Sequence, residues 1–145
     1  MSKRPVPPMT DATRPYWEAA RDSRLCLPKC EACGDVFFPP KHICPACRSD
    51  KITWITASGE GEILSLSAVY MQPFEGYADE FPYVLAIVRL AEGPQLMTNI
   101  VDCDVNTLRI GDRVNVCFEE RGDGARIPQF RPVRATDSNQ NGDLP

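Results

Sequence analysis

From residue 52 onward, apolar side chains tend to return at every second position, the period of half-buried strands rather than of helices. Residues 63–71 (ILSLSAVYM) place Leu64, Leu66, Ala68 and Tyr70 on one face and Ser65 and Ser67 on the other. The stretch Tyr83–Leu90 (YVLAIVRL) is apolar almost without interruption and predicts a central strand. A strand over 96–101 follows a turn at Glu92-Gly93-Pro94, and 104–111 predicts a turn or a one-turn helix. In Arg113–Glu120 the alternation resumes with Val114, Val116 and Phe118 inward, and 128–133 adds a short strand through Phe130. Upstream, 52–55 predicts a connecting strand, and Gly59 and Gly61 bracket a turn or bulge. Five strands with a break before the fourth predict a small Greek-key barrel, an OB-fold, in preference to a sandwich.

The first third of the chain reads differently. Pro5, Pro7 and Pro8 predict an extended, mobile arm over residues 1–10. Asp11 or Thr13 caps a helix over 14–24, with Pro15 in the first turn where its missing donor costs nothing. Arg14, Trp17, Arg21 and Arg24 fall on one stripe of that helix. An indole among three guanidinium groups suits a stacked adenine and its phosphates. The plainer reading is that Trp17 packs on the body of the protein while the arginines reach around it. Residues 135–145 have no apolar period and predict a disordered tail.

The strongest chemical signal is CEACGDVFFPPKHICPAC at 30–47. Cys30/Cys33 and Cys44/Cys47 are two Cys-x-x-Cys pairs with ten residues between the inner cysteines. Each pair folds as a knuckle whose thiolates face one point, and two knuckles make a tetrahedral S4 cage for zinc or a rubredoxin-type iron. Two structural disulfides are the alternative, but nothing marks the chain as secreted, and reducing compartments keep thiols free. Structural zinc is the expected ion. A colourless protein would separate it from red ferric S4. The intervening Val36, Phe37, Phe38, Pro39, Pro40 and Ile43 exceed what a ribbon can bury by itself, so they should cover the barrel, a partner, or both. The domain plan is therefore an arm (1–10), a helix with a rubredoxin-like zinc ribbon (11–51), a mainly β OB-fold barrel (52–134) and a tail (135–145).

Charge sharpens the picture. The net charge is −4, yet residues 1–51 hold nine Lys/Arg against six Asp/Glu, while 52–145 hold seven against fourteen. Single-stranded nucleic-acid binding, the rival function for a ribbon and an OB-fold, needs basic and aromatic residues interleaved across the barrel. An acidic barrel argues against it. The loop over 72–82 carries Phe74, Tyr77 and Phe81 beside Glu75, Asp79 and Glu80, and either shapes a binding face or caps the barrel. No stretch is apolar enough for a signal peptide or a membrane span, so a cytoplasmic protein is expected. Chemistry of the chain's own is hard to find. His42 is the single histidine, Cys26, Cys103 and Cys117 have no recognisable base, and a four-thiolate zinc leaves no open coordination position.

Taken in order, RPYW, CEACG with FPPKHICPAC, SGEG, PYVLAIVRL, RIGDRV and PQFRP resemble the acyl-CoA-associated zinc-ribbon/OB-fold family from about residue 14 to 133. In size and layout the chain is similar to the small subunit of the thiolase that ends benzylsuccinate oxidation. The resemblance implies a non-catalytic subunit that docks on a thiolase-like large subunit and helps hold or pass the CoA thioester of a 3-oxoacyl-CoA. It carries Cys30, Cys33, Cys44 and Cys47 over as metal ligands. As CoA or partner contacts it offers Arg14, Trp17, Arg21, Arg24, Phe37, Phe38, Lys41 and Arg48. Where the family has glycine before a basic residue at the helix end, this chain has Asp22-Ser23-Arg24.

Overall fold

A computed structural model describes residues 6–70 and 82–133. Helix α1 covers Arg14–Arg21, with Pro15 in its first turn, and buries Tyr16, Ala19 and Ala20. It ends three residues before the expected point because Ser23 adopts φ 58°. The Arg24 N–H then donates to the Ala19 carbonyl and the Ser23 N–H to that of Ala20, both at 2.9 Å. These are the paired bonds of a Schellman cap, with serine where glycine is usual.

Strand β1 (Cys26–Cys30) pairs antiparallel with β2 (Ile52–Thr56), and the two knuckles lie between them. The connecting strand expected from residue 52 is therefore bonded to the ribbon, and that hydrogen-bonded unit runs on to Thr56. The remaining strands are β3 (Glu60–Val69), β4 (Tyr83–Leu90), β5 (Gln95–Ile100), β6 (Arg113–Glu120) and β7 (Arg126–Pro132). They close a barrel in the order β3-β4-β5-β7-β6, with one parallel contact, Ile100 opposite Phe130. Mostly β with one helix, a ribbon and a closed five-stranded barrel, the chain has the expected fold class. A one-turn helix at Val105–Thr107 breaks the sequence before β6, its first turn capped by the Asp104 carboxylate.

Two features of β3 could not be read from alternation. A bulge between Ile63 and Ser65 shifts the register, so Ile63 lies opposite Val88 while Ser65 lies opposite Ile87. Ile63 and Leu66 thus both turn to the core. Tyr70, expected to share a face with Leu66, is 65% exposed. In β4 the continuous apolar run resolves into buried Val84, Ala86, Val88 and Leu90, with Leu85 and Ile87 on the outer side. Among the described residues, one core serves helix, ribbon and barrel. Tyr16, Leu25 and Leu27 from the N-terminal part join Ile63, Val84, Val88, Leu90, Val114 and Phe130 of the barrel. The aromatic loop at 72–81 and the expected tail lie outside the described residues, as do residues 1–5 of the arm.

Candidate metal centre and basic helix face

Both knuckles are built the same way. The Gly34 N–H donates to the Cys30 carbonyl at 2.8 Å, and the Arg48 N–H to the Cys44 carbonyl at 2.9 Å. Each second cysteine is followed by a left-handed residue, Gly34 at φ 81° and Arg48 at φ 66°. The Cys30 and Cys44 N–H groups donate to the carbonyls of Asp35 and Ser49, both at 2.8 Å. That backbone brings all four sulfurs within 4.8 Å of one another. Cys30 Sγ is 3.5 Å from Cys47 Sγ, and Cys33 Sγ is 3.6 Å from Cys44 Sγ. Tetrahedral zinc–thiolate bonds of about 2.3 Å set sulfurs roughly 3.8 Å apart, so the cage fits the ion. All four cysteines are free, so no disulfide competes for the sulfurs. The four cysteines are arranged for zinc binding in a rubredoxin-like ribbon.

Electrostatics without an ion are unbalanced. The Cys33 N–H, the largest influence, outweighs desolvation and holds the Cys30 thiol down at about 7. For Cys33 the Asp35 N–H pulls downward, but desolvation and the sulfurs of Cys47, Cys44 and Cys30 push the thiol up to about 12. A divalent cation relieves this crowding of sulfurs. Cys30 and Cys44 are fully buried, whereas Cys33 and Cys47 face solvent.

The other expected contacts separate into two groups. Phe37 is 6% exposed, and Phe38 packs on the shared core with its ring 5.3 Å from that of Tyr16. Phe37 is thus folded into the chain, while Phe38 is only partly buried. Arg14, Arg21 and Arg24 are exposed, as are Lys41 and Arg48 on the ribbon. Arg14 lies 3.8 Å from Asp11 and Arg24 3.7 Å from Asp22, while Arg21 has no ion pair among the described residues. Trp17 is half-buried, edge-on to Tyr16 at 4.8 Å, and packs against the core. A cavity of about 50 Å³ beside it is lined by Val6, Pro7, Met9, Arg21 and Arg126, so the end of the arm lies along the helix. Arg126 joins this face unannounced by the sequence, since it comes from β7; its Nη1 donates to Ser23 Oγ at 2.7 Å.

Cys103 and Cys117 share a groove of about 590 Å³ at one end of the barrel. Burial, and then Asp102, pushes both thiols up, so neither is primed as a nucleophile.

The comparisons with known proteins agree with this layout. Residues 17–53 match the family described as ChsH2, rubredoxin-like zinc ribbon domain, and residues 54–119 match ChsH2, C-terminal OB-fold domain. A DUF35 domain-containing scaffold protein of Methanothermobacter thermautotrophicus is 40% identical over 121 residues, 80% of this chain and 90% of that protein. A probable enoyl-CoA hydratase alpha subunit of Thermomonospora curvata is 33% identical over 130 residues; the match spans 90% of this chain and 40% of that protein. Among solved structures, a chain of the Ltp2-ChsH2(DUF35) aldolase superposes with a TM-score of 0.81 at 32% identity, over 88% of this chain and 99% of that one. A DUF35-family protein of unknown function from Sulfolobus solfataricus shares the fold at 16% identity, with a TM-score of 0.61.

Proposed function

Because the chain belongs to the DUF35 family of ChsH2-type zinc-ribbon/OB-fold proteins, we propose that it is a zinc-bearing, non-catalytic subunit of a cytosolic acyl-CoA enzyme. Its partner is a thiolase-type large subunit that makes or breaks a carbon–carbon bond in a 3-oxoacyl-CoA. That subunit supplies the nucleophile, base and oxyanion donors.

The observation carrying this reading is the superposition, over nearly its whole length, of a chain from an aldolase named for two components. The name scaffold protein carried by the Methanothermobacter thermautotrophicus relative, and a shared segment within an enoyl-CoA hydratase alpha subunit, point the same way. The basic residues Arg14, Arg21 and Arg24, with Lys41 and Arg48 on the ribbon, border the CoA entrance and face its phosphates. Zinc, when bound, supplies folding energy and no reaction chemistry, because four thiolates fill its coordination shell.

The test is reconstitution. The zinc-loaded chain and the co-purifying thiolase-type subunit should together turn over a 3-oxoacyl-CoA, while this chain alone does not. Turnover by the isolated chain, or its failure to bind any acyl-CoA-processing protein, would overturn the reading.

A further inference from the structure

Exposed apolar side chains occur on the arm and ribbon (Val6, Ile43) as well as on the barrel, where Leu85 and Met97 stand on the neighbouring strands β4 and β5. The strand register places Ser65, Ile87 and Met97 in one cross-strand row and Ser67, Leu85 and Asn99 in the next. Met97 is 68% exposed and Leu85 38%, with Ile87 half-buried between them. None of these six residues is charged. One end of the strip is bounded by the Glu62–Arg89 ion pair, 3.6 Å apart, and by Gln95. Over residues 84–88, strand β4 is thus apolar on both faces, the pattern of strands covered on both sides; a solvated outer face is normally polar.

We propose that this strip on the outer face of β3, β4 and β5 is the seat of the catalytic partner subunit; the proposal rests on the accessory-subunit reading above and gives it a surface. The chemistry of the strip selects among occupants. An uncharged face offers nothing to the phosphates of CoA or a nucleic acid. The barrel is closed and β4 is hydrogen-bonded on both sides, so the contact is made by side chains and not by strand addition. A second copy is disfavoured by charge. The half containing the barrel holds fourteen acidic against seven basic residues, and joining two barrels face to face would bring like charge together. A heterologous subunit with an apolar patch in a neutral or basic surround has no such penalty. Stable interfaces cover roughly 800 Å² on each side, so Leu85, Ile87 and Met97 form the apolar centre of a larger, polar-rimmed footprint.

Two measurements on the full-length, zinc-loaded chain test this. A photo-crosslinking amino acid at position 97 should join the chain to the thiolase-type subunit identified by mass spectrometry, whereas one at Arg131, exposed on β7 outside the strip, should not. With that subunit purified, Met97→Lys should weaken binding by about tenfold or more. Arg131→Ala should leave the Kd unchanged, and circular dichroism should show both variants folded. Crosslinks to the large subunit from position 131 alone, with Met97→Lys binding normally, would overturn the seat but keep the accessory role. A crosslink to a second copy of this chain would also overturn the seat. If no acyl-CoA-processing subunit binds the wild-type chain, both readings fall.

Discussion

At the scale of single residues, two glycines in SGEG are held for different reasons. Gly59 has φ 85° and its carbonyl accepts the Val116 N–H at 2.8 Å. Gly61 has no positive φ, but a methyl group there would meet Val88 Cγ1 at 2.6 Å and the Arg89 carbonyl oxygen at 2.8 Å. The second contact is backbone in a closed barrel and has little room to move. Gly61→Ala should therefore lose about 1–3 kcal/mol, read as a lower urea midpoint with unchanged slope. The knuckles offer a matched pair. Gly34 and Arg48 occupy equivalent left-handed positions, and a side chain there costs on the order of 1 kcal/mol. Gly34→Ala should weaken zinc about fivefold in competition with a chelator, whereas Arg48→Gly should not weaken it. The SGEG motif suggested a turn or bulge from sequence alone. The strain at Ser23 and Arg48 was not legible, because neither residue type announces a left-handed backbone.

At the scale of elements, the ribbon depends on its ion, while the barrel supplies most of the shared core. Removing zinc with a chelator should abolish amide protection in β1 and β2 and leave β4 and β5 protected, as hydrogen exchange would show. The pH dependence has a definite sign. Cys33, at about 12, holds its proton at neutral pH without metal, and Cys47 is raised as well, the pull of the Ser49 N–H being outweighed chiefly by the Cys30 sulfur. Zinc requires the thiolates, so uptake expels about two protons or more, and affinity should rise as pH increases from 6 to 8. Calorimetry in buffers of different ionisation enthalpy counts those protons; no release would contradict the four-thiolate site. The elements legible in the sequence were those with a clean period or a metal spacing: the two knuckles, β4, and β6 with Val114, Val116 and Phe118 inward. Less legible was whatever depends on long-range pairing. Residues 52–55 look like a strand but do not say that Cys26–Cys30 is their neighbour, and the Ile63/Ser65 bulge leaves no mark in the alternation. Phe37 and Phe38 illustrate the same limit, since an apolar residue on a coreless ribbon reads alike whether it faces the chain's own barrel or another subunit.

At the scale of the whole molecule, a basic first third sits against an acidic barrel through one shared core, and the two halves suit different contacts. The uncharged strip around Met97 suits a protein surface, and the helix face suits an anion. Arg21 is the sharpest probe of the second. It is exposed, has no ion pair among the described residues, and stands beside Trp17 and Arg126, so reversing its charge disturbs no salt bridge and little packing. If that face borders the CoA phosphates, Arg21→Glu in the reconstituted enzyme should raise KM for the acyl-CoA severalfold and leave kcat unchanged, because the residue aids binding equally in ground and transition states. The effect should shrink as salt is raised above about 0.15 M, where charges more than ~8 Å apart are screened. A pantetheine thioester lacking the nucleotide should show no difference between the two proteins. Equal KM values for the full CoA substrate at low salt would instead assign the phosphates wholly to the large subunit, and Arg21 to ordinary solvation of an exposed helix.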